Sequence, residues 1–113
     1  MHELALAEGI IRIVQEKQAE NGFGAVEEIT VGLGEYSGVE PKCLEEFFPY
    51  AAKGTAAENA RLVFDAIPGI FSCRTCGAEG PADRHGACCA SCGSTDIKLI
   101  SGREFLVKSI KVE

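Results

Sequence analysis

Cys73-Arg74-Thr75-Cys76 and, after twelve intervening residues, Cys89-Ala90-Ser91-Cys92 decide how this chain is read. Two Cys-x-x-Cys pairs at this separation have the spacing of a tetrahedral four-thiolate site, for structural zinc above all. Two residues between the cysteines of a pair let both sulfurs converge from one tight turn. Gly77 and Gly93 directly follow the second cysteine of each pair and permit the positive φ that such turns often need. Two redox disulfides or four unrelated thiols are the alternatives. Cys88 offers a second register with three intervening residues, and the match to the first pair selects Cys89 as the ligand.

Residues 70–99 around these pairs are rich in Gly, Ala and Cys and poor in large aliphatics, whereas the flanks carry regular patterns. Leu6, Ile10, Ile11, Ile13 and Val14 recur at helical spacing from Leu4 to about Glu20, and Asn21-Gly22 closes that helix. Ile29, Val31 and Leu33 alternate with Thr30, Gly32 and Gly34, a strand with one packed face. The bare glycine face points to a close approach of other backbone. Glu40-Pro41 opens a second helix with Leu44, Phe47 and Phe48 on its apolar side; Pro49 should bend or split it before Lys53-Gly54. Ala60–Ile67 alternates as a second strand. Arg103–Val112 reads as a long last strand with apolar residues on both faces, which suits an inner position in the sheet. The expected fold class is therefore α+β: a small mixed three-stranded sheet with two helices, plus an inserted zinc-ribbon-like module. Residues 1–69 and 100–113 form the core and 70–99 the insertion, which needs only its two ends close together.

The 113 residues suffice for one compact domain with a small appendage. A net charge of −6 and a sequence pI of about 4.9 oppose a nucleic-acid-binding role, since phosphate recognition needs a basic surface. No apolar stretch reaches the length of a membrane span, and Met1-His2-Glu3-Leu4-Ala5 has no signal-peptide character. A cytoplasmic protein is expected, in a compartment that keeps cysteine pairs reduced and available to metal. Cys43 stands alone and reads as a small buried hydrophobe.

His2 and His85 are the two histidines. Taken alone, His2 reads as a polar residue before a helix. Its chemical alternative is a chelate of the Met1 amine, the His2 amide and the His2 imidazole, with Glu3 in reach, a nitrogen-rich set that suits Ni(II) or Cu(II). Deprotonating an amide there breaks no helical hydrogen bond, because the first helical N–H groups have no intrahelical acceptor. His85, between the Cys pairs, offers a loop residue, a fifth candidate ligand or a sensor of metal occupancy, and reads as the loop residue because four thiolates already complete a zinc shell.

Met1-His2-Glu3, the α/β core and the late Cys pairs together resemble the HypA/HybF family of hydrogenase nickel-insertion proteins. Val31-Gly32, Lys53-Gly54-Thr55, Cys92-Gly93-Ser94 and Ser101-Gly102-Arg103-Glu104 extend the resemblance over essentially the whole chain. Ala90 departs from it, since proline is common there, and Cys88 is a second departure. The resemblance implies Ni(II) at Met1, His2 and Glu3, with Glu40 close to that site, and structural Zn(II) at Cys73, Cys76, Cys89 and Cys92. It also implies a metallochaperone and not an enzyme, serving [NiFe]-hydrogenase and in some relatives urease. Its implied partners are a maturation GTPase and the hydrogenase large-subunit precursor, without nucleic acid or membrane, and it admits a homodimer. A zinc-ribbon protein- or nucleic-acid-binding module and a cysteine-based redox enzyme are the rival readings.

Overall fold

The computed structural model describes residues 2–82 and 88–113. Among these residues, two helices and two three-stranded sheets divide into two compact units. One unit comprises Met1–Gly32, Val39–Asp65 and Leu106–Glu113; the other comprises Leu33–Gly38 and Ala66–Phe105.

In the first unit, helix α1 (Glu3–Asn21) buries Ala7, Ile10, Ile11 and Val14, positions three and four apart that share one helix face. Gly22 ends it in the left-handed conformation (φ 72°), and its N–H bonds Gln18 O at 2.7 Å. Helix α2 (Pro41–Ala52) packs against α1 through Leu44, Phe48 and Ala52. Proline at its first position costs nothing, because that amide has no intrahelical acceptor. Pro49 does not split the helix, which continues to Ala52. Thr55 then donates both its N–H and its hydroxyl to Ala52 O, at 3.0 and 2.7 Å, and satisfies a carbonyl the helix end leaves open.

Strand β1 (Val26–Gly34) lies between β2 (Arg61–Ile67) and β6 (Phe105–Val112). The sequence expectation of an inner position for the last strand is overturned: β6 is an edge. Of the three, β1 alone is buried nearly throughout, whereas Lys108, Ser109 and Lys111 keep much of β6 in water. A strand paired on both sides has both backbone ladders covered, which an edge strand does not. Ile29 and Val31 of β1 join Ile10, Val14, Leu44 and Phe48 in the core.

The second unit holds β3 (Ile70–Cys73), β4 (Glu79–Gly80) and β5 (Ile97–Ser101) in the order β4-β3-β5, antiparallel throughout. The segment Leu33–Gly38 is fastened within this unit. Gly34 N–H bonds Glu104 O, Glu35 N–H bonds Ile67 O and Tyr36 N–H bonds Gly102 O, all within 2.7–2.9 Å. Glu35 Oε1 accepts the Gly69 N–H at 2.8 Å, and the Tyr36 ring meets Phe71 edge-on, with centroids 5.6 Å apart. The glycine face of β1 is explained at Gly34, where a Cβ would lie 2.2 Å from Gly102 O.

Gly34→Ala is therefore expected to lower stability by about 1–3 kcal/mol, because backbone on both sides must move. Gly9 in α1 is the opposite case: beyond its own helix, no atom lies within 4 Å of where a methyl group would sit. Gly9→Ala should stabilise by about 0.5–1 kcal/mol. Chemical denaturation of the two variants checks both signs; equal effects would remove the steric account of Gly34.

Candidate metal centre

The two Cys-x-x-Cys turns are built alike. In the first, Gly77 N–H donates to Cys73 O at 2.9 Å with Gly77 at φ 77°, and Cys73 N–H donates to Ala78 O. In the second, Gly93 N–H donates to Cys89 O at 2.9 Å with Gly93 at φ 78°, and Cys89 N–H donates to Ser94 O. Each first cysteine is buried and each second one exposed. Amide groups turn toward the first sulfur of each pair, Cys76 N–H to Cys73 Sγ and Ser91 N–H to Cys89 Sγ, both at 3.4 Å. Such amides stabilise negative charge on sulfur before any metal arrives.

The four ligand atoms of Cys73, Cys76, Cys89 and Cys92 all lie within 4.8 Å of one another. Cys73 Sγ is 3.7 Å from Cys92 Sγ, and Cys76 Sγ is 3.7 Å from Cys89 Sγ. A tetrahedral site with metal–sulfur bonds of about 2.3 Å has sulfur–sulfur edges of about 3.8 Å, so the donor set fits such a metal. A disulfide needs about 2.05 Å, and all six cysteines are free of one. Beside the sulfurs, the Thr75 and Ser94 hydroxyls bond at 2.8 Å and Arg74 pairs with Asp96 at 3.3 Å, linking one turn to the other. Sequence spacing does not single out these residues, since hydroxyl and charged side chains are ordinary between and after such cysteines.

The thiols are strongly unequal without a cation. The Cys76 amide, helped by that of Thr75, outweighs burial and brings Cys73 down to about 6. Amides of Cys92 and Ser91 likewise lower Cys89. At Cys92 the Ser94 amide favours ionisation, but burial and the three other sulfurs outweigh it and push the thiol up to about 12. One further negative charge in this cluster is thus resisted until a cation neutralises it.

Cys88 is half-buried and does not belong to the group of four. His85 and Met1 lie outside the described residues. His2 precedes α1 with its side chain 62% exposed, and its Nε2 is 3.7 Å from Glu3 Oε2. Glu40 caps α2 by accepting the Lys42 N–H at 3.4 Å. Cys43 is half-buried, not buried, and burial followed by the fields of Glu3, Glu46 and Glu40 pushes its thiol up. Among the described residues His2, Glu3 and Glu40 do not form a cluster of three converging donors; the four thiols do.

Residues 1–112 match the family described as hydrogenase/urease nickel incorporation, metallochaperone, hypA. The hydrogenase maturation factor HypA of Chlorobaculum tepidum is 39% identical over 113 residues, with both chains covered in full. Hydrogenase maturation factor HypA 1 of Bradyrhizobium diazoefficiens is 34% identical, again over the whole of both. Among solved structures, the solution structure of the Ni metallochaperone HypA from Helicobacter pylori superposes with a TM-score of 0.73 at 21% identity, covering 99% of this chain and 97% of that one. A second HypA solution structure gives 0.75 at 21% identity, covering 100% and 97%. At that identity the two structures speak for the fold.

Metal analysis after purification under reducing conditions should find one tightly held metal in wild type and in Cys88→Ser, and none in Cys89→Ser. Retention by Cys89→Ser with loss in Cys88→Ser would reverse the register. Because Cys92 starts as a thiol, metal uptake near pH 7 should release protons and weaken as pH falls. Calorimetry in buffers of different ionisation enthalpy reads the protons directly.

Proposed function

The chain belongs to the HypA family of hydrogenase/urease nickel-incorporation metallochaperones, and from that premise we propose that it carries Ni(II) at its amino terminus. Proteins of this family are maturation factors and not catalysts. The cargo is destined for the [NiFe]-hydrogenase large-subunit precursor, handed on with a maturation GTPase, in the cytoplasm; a urease precursor is a further client. One observation carries the reading: His2 stands exposed at the open end of α1 beside Glu3, in a chain whose family match begins at residue 1.

Donor chemistry at that end suits a late divalent metal. The Met1 amine, the His2 amide and the His2 imidazole close adjacent chelate rings, and the Glu3 carboxylate completes the set. The metal-bound amide carries negative charge at the positive end of the α1 dipole, where it is favoured. Glu40 adds negative charge near this set without binding the metal. An exposed chelate with few fixed side chains suits a carrier, which must select a metal and also release it.

Zn(II) in the four-thiolate centre is structural in this reading. It holds the inserted module, residues 70–99, while residues 1–69 and 100–113 carry the nickel chemistry.

Ni(II) calorimetry on zinc-loaded protein tests the terminal site. Wild type beginning at Met1 should bind one nickel; a short extension before Met1 and His2→Ala should each weaken binding at least about tenfold. Zinc content should stay the same in all three. Equal nickel affinity across the series would place the cargo elsewhere. The division of labour has its own test, since Cys73→Ser/Cys76→Ser should lose zinc yet keep helical circular dichroism and a cooperative melt. An unfolded chain would make the zinc module part of the core.

A further inference from the structure

Each sulfur of the four-thiol cluster has a close neighbour on the opposite turn. Cys73 Sγ meets Cys92 Sγ and Cys76 Sγ meets Cys89 Sγ, both at 3.7 Å. Both contacts join a buried sulfur to an exposed one. The turns are also held face to face by bonds that need no sulfur. The Thr75 and Ser94 hydroxyls bond at 2.8 Å, Arg74 pairs with Asp96 at 3.3 Å, and the Arg74 N–H donates to Asp96 O at 3.0 Å. A disulfide within either turn would close a ring over two intervening residues and leave the turns unlinked. Two disulfides across the turns would close nested, longer loops, which restrict the unfolded chain more. They would also hold β3 beside β5, strands of four and five residues with little ladder of their own.

We propose that this cluster, read above as the structural metal centre, is also an oxidation site for hydroperoxides, which convert it to two disulfides across the turns, Cys73–Cys92 and Cys76–Cys89. The exposed sulfurs of Cys76 and Cys92 meet the oxidant. Such a sulfur attacks one peroxide oxygen, the O–O bond breaks, and the thiol becomes a sulfenic acid as one water leaves. The buried sulfur across the cluster, Cys89 or Cys73, then attacks the sulfenic sulfur. The S–O bond breaks, the S–S bond forms and a second water leaves. Each disulfide gives two electrons to one peroxide, so four thiols and two molecules of hydrogen peroxide become two disulfides and four waters. The two contacts need shorten by only about 1.7 Å to reach bonding distance. Oxidation removes all four donors, so a held metal is released, and the new bonds replace it as the staple between turns. Cys43 and Cys88 stand outside the cluster and keep their thiols.

Titrating full-length, zinc-loaded protein with hydrogen peroxide, beside its Cys88→Ser variant, tests the pairing. A zinc indicator should report complete release at about two equivalents of peroxide in both, reversed by a thiol reductant. Alkylation of the remaining thiols and digestion with trypsin then read the connectivity. Cleavage after Arg61, Arg74, Arg84 and Lys98 places Cys73, Cys76 and the group Cys88, Cys89 and Cys92 in three separate peptides. The expected product joins all three peptides, with Cys43 and Cys88 alkylated, and fragmentation between Cys89 and Cys92 assigns Cys73 to Cys92 and Cys76 to Cys89. Disulfides within the turns would leave the third peptide unattached and overturn the proposal. So would a Cys73–Cys89 pairing, a bond that recruits Cys43 or Cys88, or oxidation to sulfinic acid without a cross-link. Zinc content of the reduced protein is measured first and separately. Reduced protein that binds no zinc would refute the metal reading, while the connectivity of the same sample still decides the disulfides.

Discussion

Four sulfurs gathered within 4.8 Å of one another are the constraint on which the second unit depends. Between residues 66 and 105, the buried apolar side chains among the described residues are Cys73 and Cys89 themselves. The strands there are short, four, two and five residues, too little ladder to stabilise a sheet alone. The four clustered cysteines thus stand where a hydrophobic core would be. Sulfurs at this separation repel once several ionise, and that repulsion adds to burial in pushing the thiol of Cys92 up. A divalent cation turns the same proximity into four bonds, so folding and metal binding become one equilibrium.

The first unit is stabilised by ordinary means, and that difference governs what could be read from the residues. Ile10, Ile11 and Val14 announce α1 because a helix must bury one face, and Asn21-Gly22 announces its end because glycine readily adopts positive φ. The α+β class and the three-stranded sheet with two helices followed from such periodicities. Strand order did not, since Phe105–Val112 shows apolar residues on both faces at the edge as well as in the middle. Local alternation records which side chains meet apolar surroundings, not how many neighbours hydrogen-bond the backbone. Strands β3, β4 and β5 escaped the sequence altogether, being too short for a period and surrounded by Gly and Ala. The unbroken course of α2 through Pro49 is a tertiary override, with Leu44, Phe48 and Ala52 buried on either side of the proline.

At the metal centre the balance is reversed, because coordination geometry imposes itself on sequence spacing directly. Cys73, Cys76, Cys89 and Cys92 were legible, as were the glycines that let their turns close. The Thr75–Ser94 and Arg74–Asp96 links were not, since they depend on which turn faces which. Nor does spacing reveal the unequal ionisation of the thiols, which comes from where individual amides point. The proposed amino-terminal chelate is the opposite case: it rests on chain chemistry and family membership, with His2 and Glu3 adjacent and, among the described residues, outside any cluster of three or more candidate ligands.

The placement of β6 has a consequence in time. Its partner β1 is complete once Gly34 has been synthesised, but Phe105–Val112 follows only after β2 to β5 have been made. A ribosome holds its newest residues in the exit tunnel, so β1 can pair with β2 during translation while its other ladder waits for β6 to emerge. Until then a strand rich in Val, Ile and Leu displays a free edge to its surroundings. The segment that carries the four cysteines lies between β2 and β6 in the chain, so it emerges while that edge is still open. Topology alone therefore makes the eight residues of β6 the step that covers the second ladder of β1.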